Sequence, residues 1–420
     1  MLIALFRNAL PVGWFCLVNK FSKTNSKDRI KRAKITEAEH CLTNLGSFVG
    51  ADMARAEIMD RGMSNCAKKL PYDNLWNTTN KLRNCLNNET SQPIVLTTGF
   101  YIKSVGKTET DGPPGAMVLA RTLSELYPNR DIIIISDDIK EDVVKKLVEK
   151  EHKSNIKHVY LTCRPDERYP YKDSEEEAKK FISKHNPQAF ISVEKLSLVV
   201  SKFTVQTTSG DGSTVTTSYV GSPIWNLDGS IETSKSISTG TTVSTKLSDG
   251  NNVMAENFNG IVTNERCYLS KDENKSRVNV NAHHSVAIAL AFEKCYQDER
   301  ILTVGIGDGG NELGFGKSAC NLPKDKQIPR STSPADFEIP AITSNFGALG
   351  LSMALCCLED KMNLIPGLIS SNHEYDLIKF CVDNGAVDGL ALKDGEITVD
   401  GYSDFERNNA YGKLKECFMK

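Results

Sequence analysis

The sequence holds 12 cysteines but no C-x-x-C pair, which excludes the common zinc-ribbon and dithiol redox arrangements. Most cysteines sit inside apolar runs, as Cys163, Cys295, Cys356 and Cys357 do, where the thiol acts as a small hydrophobe in a reducing compartment. A surplus of one charge is also missing. The chain carries 51 lysines and arginines against 53 aspartates and glutamates, so no basic field draws it to nucleic acid or to an anionic membrane, and neither partner is expected. No apolar run reaches the ~20 residues that cross a bilayer. There is no G-x-S-x-G elbow and no Walker A sequence. His283 and His284 are adjacent at a helix start and face different directions, so they make no i,i+4 metal pair. No cofactor is expected, and a divalent metal is the one group left open.

The N-terminus lacks acid. Residues 1–27 contain none, while Arg7, Lys20, Lys23 and Lys27 supply charge and apolar residues, Ser and Asn fill the gaps. This composition predicts a mitochondrial transit segment over 1–35 and a matrix location. A secretory h-region over Leu10–Val18 fits less well, because no small-residue cleavage site follows it. A disordered tail is the remaining reading.

What is present is an alternation of periods. Helical spacing covers 36–61 and 73–86, and then the apolar run Pro93–Thr97 reads as a buried strand. Helices are expected over 113–126, 141–150, 174–185, 282–296, 346–358 and 374–384. Strands are expected over 132–135, 156–161, 189–193, 301–304 and 339–343, and a hairpin around Lys393-Asp394-Gly395. Strand–helix alternation predicts an α/β fold, a doubly wound, mostly parallel sheet with helices on both faces. Residues 200–260 break the rhythm with Ser, Thr and Gly and turn signals at Gly210-Asp211-Gly212, Asp228-Gly229 and Asp249-Gly250. They read as a β-rich, Ser/Thr-rich insertion into a single domain over 36–420.

Two loops carry the candidate chemistry. The first, after the strand at 93–97, contains Glu109-Thr110-Asp111-Gly112-Pro113-Pro114-Gly115. Asp111 suits the cap of the following helix. Its two prolines remove donors that a phosphate would need, whereas its acids suit an ammonium group or a metal. The second is Gly305-Ile306-Gly307-Asp308-Gly309-Gly310-Asn311-Glu312-Leu313-Gly314-Phe315-Gly316. It contains G-x-G-x-x-G, but no acid-ending strand follows about 20 residues on to hold a ribose. Its glycine N–H groups could instead face a carboxylate or an oxyanion, beside Asp308, Asn311 and Glu312. Arg164 could grip a substrate carboxylate or make a surface ion pair. Glu194 ends a strand at the same sheet edge and is either part of the site or solvent-exposed. Ser344-Asn345 read as a helix cap.

The two loops in this order, with Val95–Phe100 and Gly385-Ala386-Val387-Asp388-Gly389, resemble the D-glutamate cyclase family over roughly 60–405. The resemblance implies a carbon–oxygen hydro-lyase of D-amino acid metabolism, with D-glutamate as small-molecule substrate and 5-oxo-D-proline as product. It implies a mitochondrial setting for animal members, often with an additional hydro-lyase-like N-terminal domain that this sequence does not show. The chain departs from the family at Lys195-Leu196-Ser197, where an Arg-Pro-Gly-like turn is usual. On this reading Glu109, Asp111, Asp308 and Glu312 are catalytic, and Gly112, Gly307, Gly309, Gly310, Asn311, Arg164 and Glu194 bind substrate. Two alternatives stand beside it: a nucleotide- or small-metabolite-binding α/β module, and an inactive relative acting as a binding partner.

Overall fold

The computed structural model describes residues 26–44, 46–49, 67, 70–71, 73–88, 91–102, 105–138, 142–161, 170–197, 285–318, 331, 333–368 and 371–419, and the backbone of strands between Lys202 and Asn279. Strands β1 (Ile94–Thr97), β2 (Ile132–Ser136), β3 (Ile156–Tyr160), β4 (Ala189–Val193), β5 (Leu302–Gly307) and β6 (Phe337–Pro340) form one sheet in the order β6-β5-β4-β1-β2-β3. Every neighbouring pair is parallel. The chain therefore winds outward from β1 to β3, returns to lie beside β1 as β4, and winds outward the other way. The reversal leaves a crevice at the carboxyl ends of β1 and β4, where open α/β sheets receive ligands.

The strands form because their residues can be buried on both faces. Strands β1, β2 and β4 are buried at every position, as parallel strands under two helical layers require. Their side chains alternate. Ile94, Leu96, Ile132, Ile134, Ile191 and Val193 enter one core, and Val95, Ile133, Ile135 and Phe190 enter the other. The first core is closed by α1 (Ser26–Thr43), α2 (Asn74–Leu86), α3 (Pro113–Leu126), α4 (Val143–Glu151), α7 (Ser344–Leu358), α8 (Ser371–Asp383) and α9 (Asp404–Met419). The second is closed by α5 (Pro170–His185) and α6 (Val286–Gln297). All of α7 is buried, and it crosses α3 closely enough that a Cβ on Gly115 would stand 2.6 Å from the Cα of Asn345.

Among the described residues the insertion holds a four-stranded antiparallel sheet and two separate antiparallel strand pairs. Lys202–Thr208 pairs with Thr214–Val220 across the Gly210-Asp211-Gly212 segment. Val243–Leu247 pairs with Lys202–Thr208 and, across Asp249-Gly250, with Asn252–Ala255. The turn signals themselves, Gly210-Asp211-Gly212, Asp228-Gly229 and Asp249-Gly250, lie outside the described residues.

Other boundaries differ from expectation. Helix α1 starts at Ser26, ten residues before the expected start, with Ile35 and Ala38 on its inner side fully buried, and it ends at Thr43. Strand β5 runs on to Gly307, so the first three residues of the glycine-rich segment are strand. The hairpin at 393–395 does not form. There the Asp388 carboxylate accepts N–H groups from Leu390, Ala391 and Gly401, so the segment wraps a side chain instead of a ladder. Among the described residues no helix is long and apolar enough to cross a membrane.

Candidate active site

The first loop leaves β1 as Thr98-Gly99 and returns across the sheet edge at Glu109–Gly112. Gly112 has φ 96°, and a Cβ there would lie 2.7 Å from both Glu194 Cβ and Thr98 Oγ1. Only glycine fits, both for that left-handed backbone and for that space. Asp111 does not cap its own helix. The N-cap of α3 is Gly112, and the Asp111 carboxylate accepts Ser344 N–H at 2.6 Å and Asn345 N–H at 2.8 Å. Asn345 answers in kind: its Oδ1 accepts Gly112 N–H at 3.0 Å and Gly115 N–H at 2.7 Å. Two helix N-termini thus cap each other across the crevice. Both direct positive dipole ends toward it. Ser344 and Asn345 do more than the local capping expected of them, since Thr343 supplies the N-cap of α7.

Glu194 follows β4 and is 2 % exposed, not solvated. Its φ is 44°, a strained conformation for a side chain of this size and one that clusters at functional sites. Ser344 Oγ donates to its Oε2 at 2.5 Å. Burial pushes the Glu194 carboxyl well above the usual carboxylate range, and the charges of Glu312, Glu109, Asp111 and Asp400 push it further. All four of those neighbours are acids.

Asp308 enters from the end of β5 and is 2 % exposed. Asp111, Glu194 and Asp308 each bring a ligand oxygen within 4.8 Å of the others. Three residues from three separate strand ends thereby meet in one place. Glu109 sits at the edge of this group, its carboxylate close enough to Gly389 that a Cβ there would lie 2.2 Å from Oε2. The Gly385–Gly389 segment is held against the first loop by Thr110 N–H to Val387 O at 2.8 Å and Val387 N–H to Thr108 O at 3.0 Å.

Glu312 is fully buried in the glycine-rich loop. Its carboxylate accepts Gly309 N–H at 2.6 Å and Gly310 N–H at 2.7 Å, and a Cβ on Gly307 would meet its Oε2. The glycine N–H groups are therefore engaged within the loop and are not presented to an oxyanion. They are equally withheld from a pyrophosphate, and turns, not a helix, follow them, which removes the physical basis of the dinucleotide reading. Asn311 contributes its backbone, its carbonyl accepting Ser197 N–H at 3.1 Å, while Leu313 N–H donates to Lys195 O at 2.7 Å. Arg164 and the pair His283-His284 lie outside the described residues.

Four residues here were given no site role by the sequence reading. Lys195, 1 % exposed, pairs with Asp137 and donates to Gly99 O at 3.0 Å. Ser285 Oγ adds a 3.0 Å bond to the same Asp137 oxygen. Thr98, 1 % exposed, has no hydrogen-bond partner for Oγ1 among the described residues. The available signal was position alone, since Thr98, Asp137 and Lys195 all stand one or two residues beyond a buried strand.

The D-glutamate cyclase-like C-terminal family model matches residues 56–413, which takes in every strand of the sheet and both loops. No curated protein matches the sequence. With that span matched, and with its acids gathered at the crevice of the doubly wound sheet, the chain belongs to the D-glutamate cyclase-like family.

Proposed function

We propose that the chain is a D-glutamate cyclase, a hydro-lyase forming 5-oxo-D-proline. The observation that carries this is the group of buried acids Asp111, Glu194 and Asp308 at the sheet reversal, framed by the loops that the family shares. In the reaction the α-nitrogen attacks the γ-carboxyl carbon, a C–N bond forms and a C–O bond breaks. The ammonium loses two protons and the departing oxygen gains two, so water leaves with no net proton exchange. Glu109, at the margin of the group, is the carboxylate we assign to carrying those protons, the usual work of such a group. Holding glutamate folded so that its nitrogen meets its own carboxyl is worth ~7–11 kcal/mol when the geometry is rigid. The mutual capping of α3 and α7 supplies that rigidity. The transit-like N-terminus supports a mitochondrial setting for this activity.

Incubating the purified chain with each enantiomer of glutamate and following 5-oxoproline by chromatography tests the reading. Product from D-glutamate in preference to L-glutamate is the expected result. No product from either defeats it.

A further inference from the structure

Helices α1 and α9 meet along a seam that is pinned on both sides of one pair of sulfurs. At one end Lys34 Nζ donates to Phe418 O at 2.9 Å, and at the other Lys413 Nζ donates to Gly46 O at 2.8 Å. Between these bonds, in both helices, lie Cys41 in the last turn of α1 and Cys417 in the last turn of α9. Their thiols meet in a hydrogen bond. Cys41 Sγ also lies 3.5 Å from Ser47 Oγ, and Cys417 Sγ lies 3.3 Å from Lys413 O. The two sulfurs are thus held face to face by backbone contacts that do not involve them.

Cysteine reacts as the thiolate. At Cys41 the hydrogen bond with Cys417 brings the thiol down from the ordinary 9.0 to about 7; burial opposes this, the Ser47 hydroxyl and the Lys413 ammonium assist it, and Glu37 opposes it. Burial instead raises the thiols of Cys85, Cys295, Cys356, Cys357 and Cys381. Position separates them too. Cys295, Cys356 and Cys381 are fully buried, whereas Cys41 is 9 % and Cys417 5 % exposed. The pair therefore lies at the margin of the core, within reach of an oxidant scarcely larger than water.

We propose that Cys41 and Cys417 are a modification site, a thiol pair that hydrogen peroxide converts reversibly to a disulfide. The Cys41 thiolate attacks one peroxide oxygen, the O–O bond breaks, and hydroxide leaves and is protonated to water, so that Cys41 becomes a sulfenic acid. The Cys417 sulfur then attacks the Cys41 sulfur. An S–S bond forms, the S–O bond breaks, and a second water leaves. Two thiols and one peroxide give one disulfide and two waters, and thiol reductants reverse the change. The bond ties α1 to α9 beside Leu42, whose carbonyl accepts Ile342 N–H at 3.0 Å. Ile342 stands two residues before Ser344, which holds Glu194. Oxidation thus stiffens the outer support of the crevice and adds no group to it.

The experiment treats the whole reduced chain with hydrogen peroxide, blocks the remaining thiols by alkylation, and maps a digest made without reductant by mass spectrometry. The expected product is a linked pair of peptides carrying Cys41 and Cys417, lighter than the reduced peptides by the hydrogens lost. It should form at peroxide levels that leave Cys295, Cys356 and Cys381 reduced, and dithiothreitol should remove it. The oxidised chain should melt several degrees higher, because the bond closes a loop over most of the chain. In Cys417→Ser the second step is gone, so dimedone should trap a sulfenic acid at Cys41, whereas Cys41→Ser should give neither product. Wild-type protein that is folded by circular dichroism and yields no linked peptide overturns the proposal. So does oxidation at Cys41 no sooner than at the fully buried cysteines, or a Cys41 linkage that joins two chains instead of one. Should either variant fail to fold, the wild-type map decides.

Discussion

At the scale of the residue, the site shows how much depends on partners far away in sequence. That Asp111 is polar, buried and near a helix start was legible. That it caps α7, 233 residues on, was not, because no local pattern encodes a tertiary neighbour. The consequence is measurable. Asparagine offers one acceptor oxygen where the carboxylate offers two, so Asp111→Asn should leave a buried helix N–H unmet. Urea unfolding should show a loss of about 1–3 kcal/mol, where an ordinary cap would show almost none. A second residue sets a pH dependence. Burial raises the Glu39 carboxyl to about 7, outweighing the N–H groups of Leu75 and Asn74 that favour its charge, and Asp73 adds to the rise. Its folded pKa lies above the ordinary carboxyl value of 4.5, so the folded state keeps a proton that the unfolded chain has released. Stability from this group is complete below about 4.5, falls as pH rises toward about 7, and is gone above that. Melting temperatures of wild type and Glu39→Gln across this range should therefore differ in slope, and parallel curves would refute the assignment.

Among the elements, the buried strands were readable because Ile94–Thr97, Ile132–Ser136 and Ala189–Val193 are short apolar runs, and α3 because a double proline opens it. Helix α9 was missed although Ala410, Tyr411, Leu414, Cys417 and Phe418 are buried at helical spacing. Its polar residues diluted that pattern. The false hairpin at 393–395 arose from a turn dipeptide whose neighbours fold around Asp388 instead. The crossing of α3 and α7 gives the sharpest test at this scale. Gly115→Ala would press a Cβ to 2.6 Å from backbone that cannot yield, and should cost about 1–3 kcal/mol as the helices part. Gly412→Ala in α9, where a Cβ meets nothing within 4 Å, should stabilise by ~0.5–1 kcal/mol. Equal effects at the two glycines would show that helix propensity, not the crossing, governs Gly115.

On the scale of the whole molecule, the alternation of strand and helix was enough to foresee the doubly wound sheet and therefore the edge on which the loops gather. The basic run that resembles a targeting segment continues into α1, which begins at Ser26. There Arg32 pairs with Asp73 at an Nε–O distance of 2.8 Å and Lys31 with Asp360 at 2.8 Å. A chain beginning at Ser26 keeps all of α1, whereas one beginning at Thr36 loses these pairs and the buried Ile35. Losing Ile35 alone removes ~1.5–3 kcal/mol of apolar burial. The shorter chain should melt several degrees lower, and identical melting curves would show that α1 before Thr36 adds nothing.

The insertion leaves the sheet just after Ser197, whose N–H is tied to the Asn311 carbonyl. The chain comes back at Ser285, whose hydroxyl is tied to the Asp137–Lys195 pair. Its two roots are thus the same posts that brace Glu194 and the glycine-rich loop. A segment hung between fixed posts can grow, shrink or be exchanged at a closure cost that rises only logarithmically with length. The module can therefore change in length or be replaced while the acids keep their places.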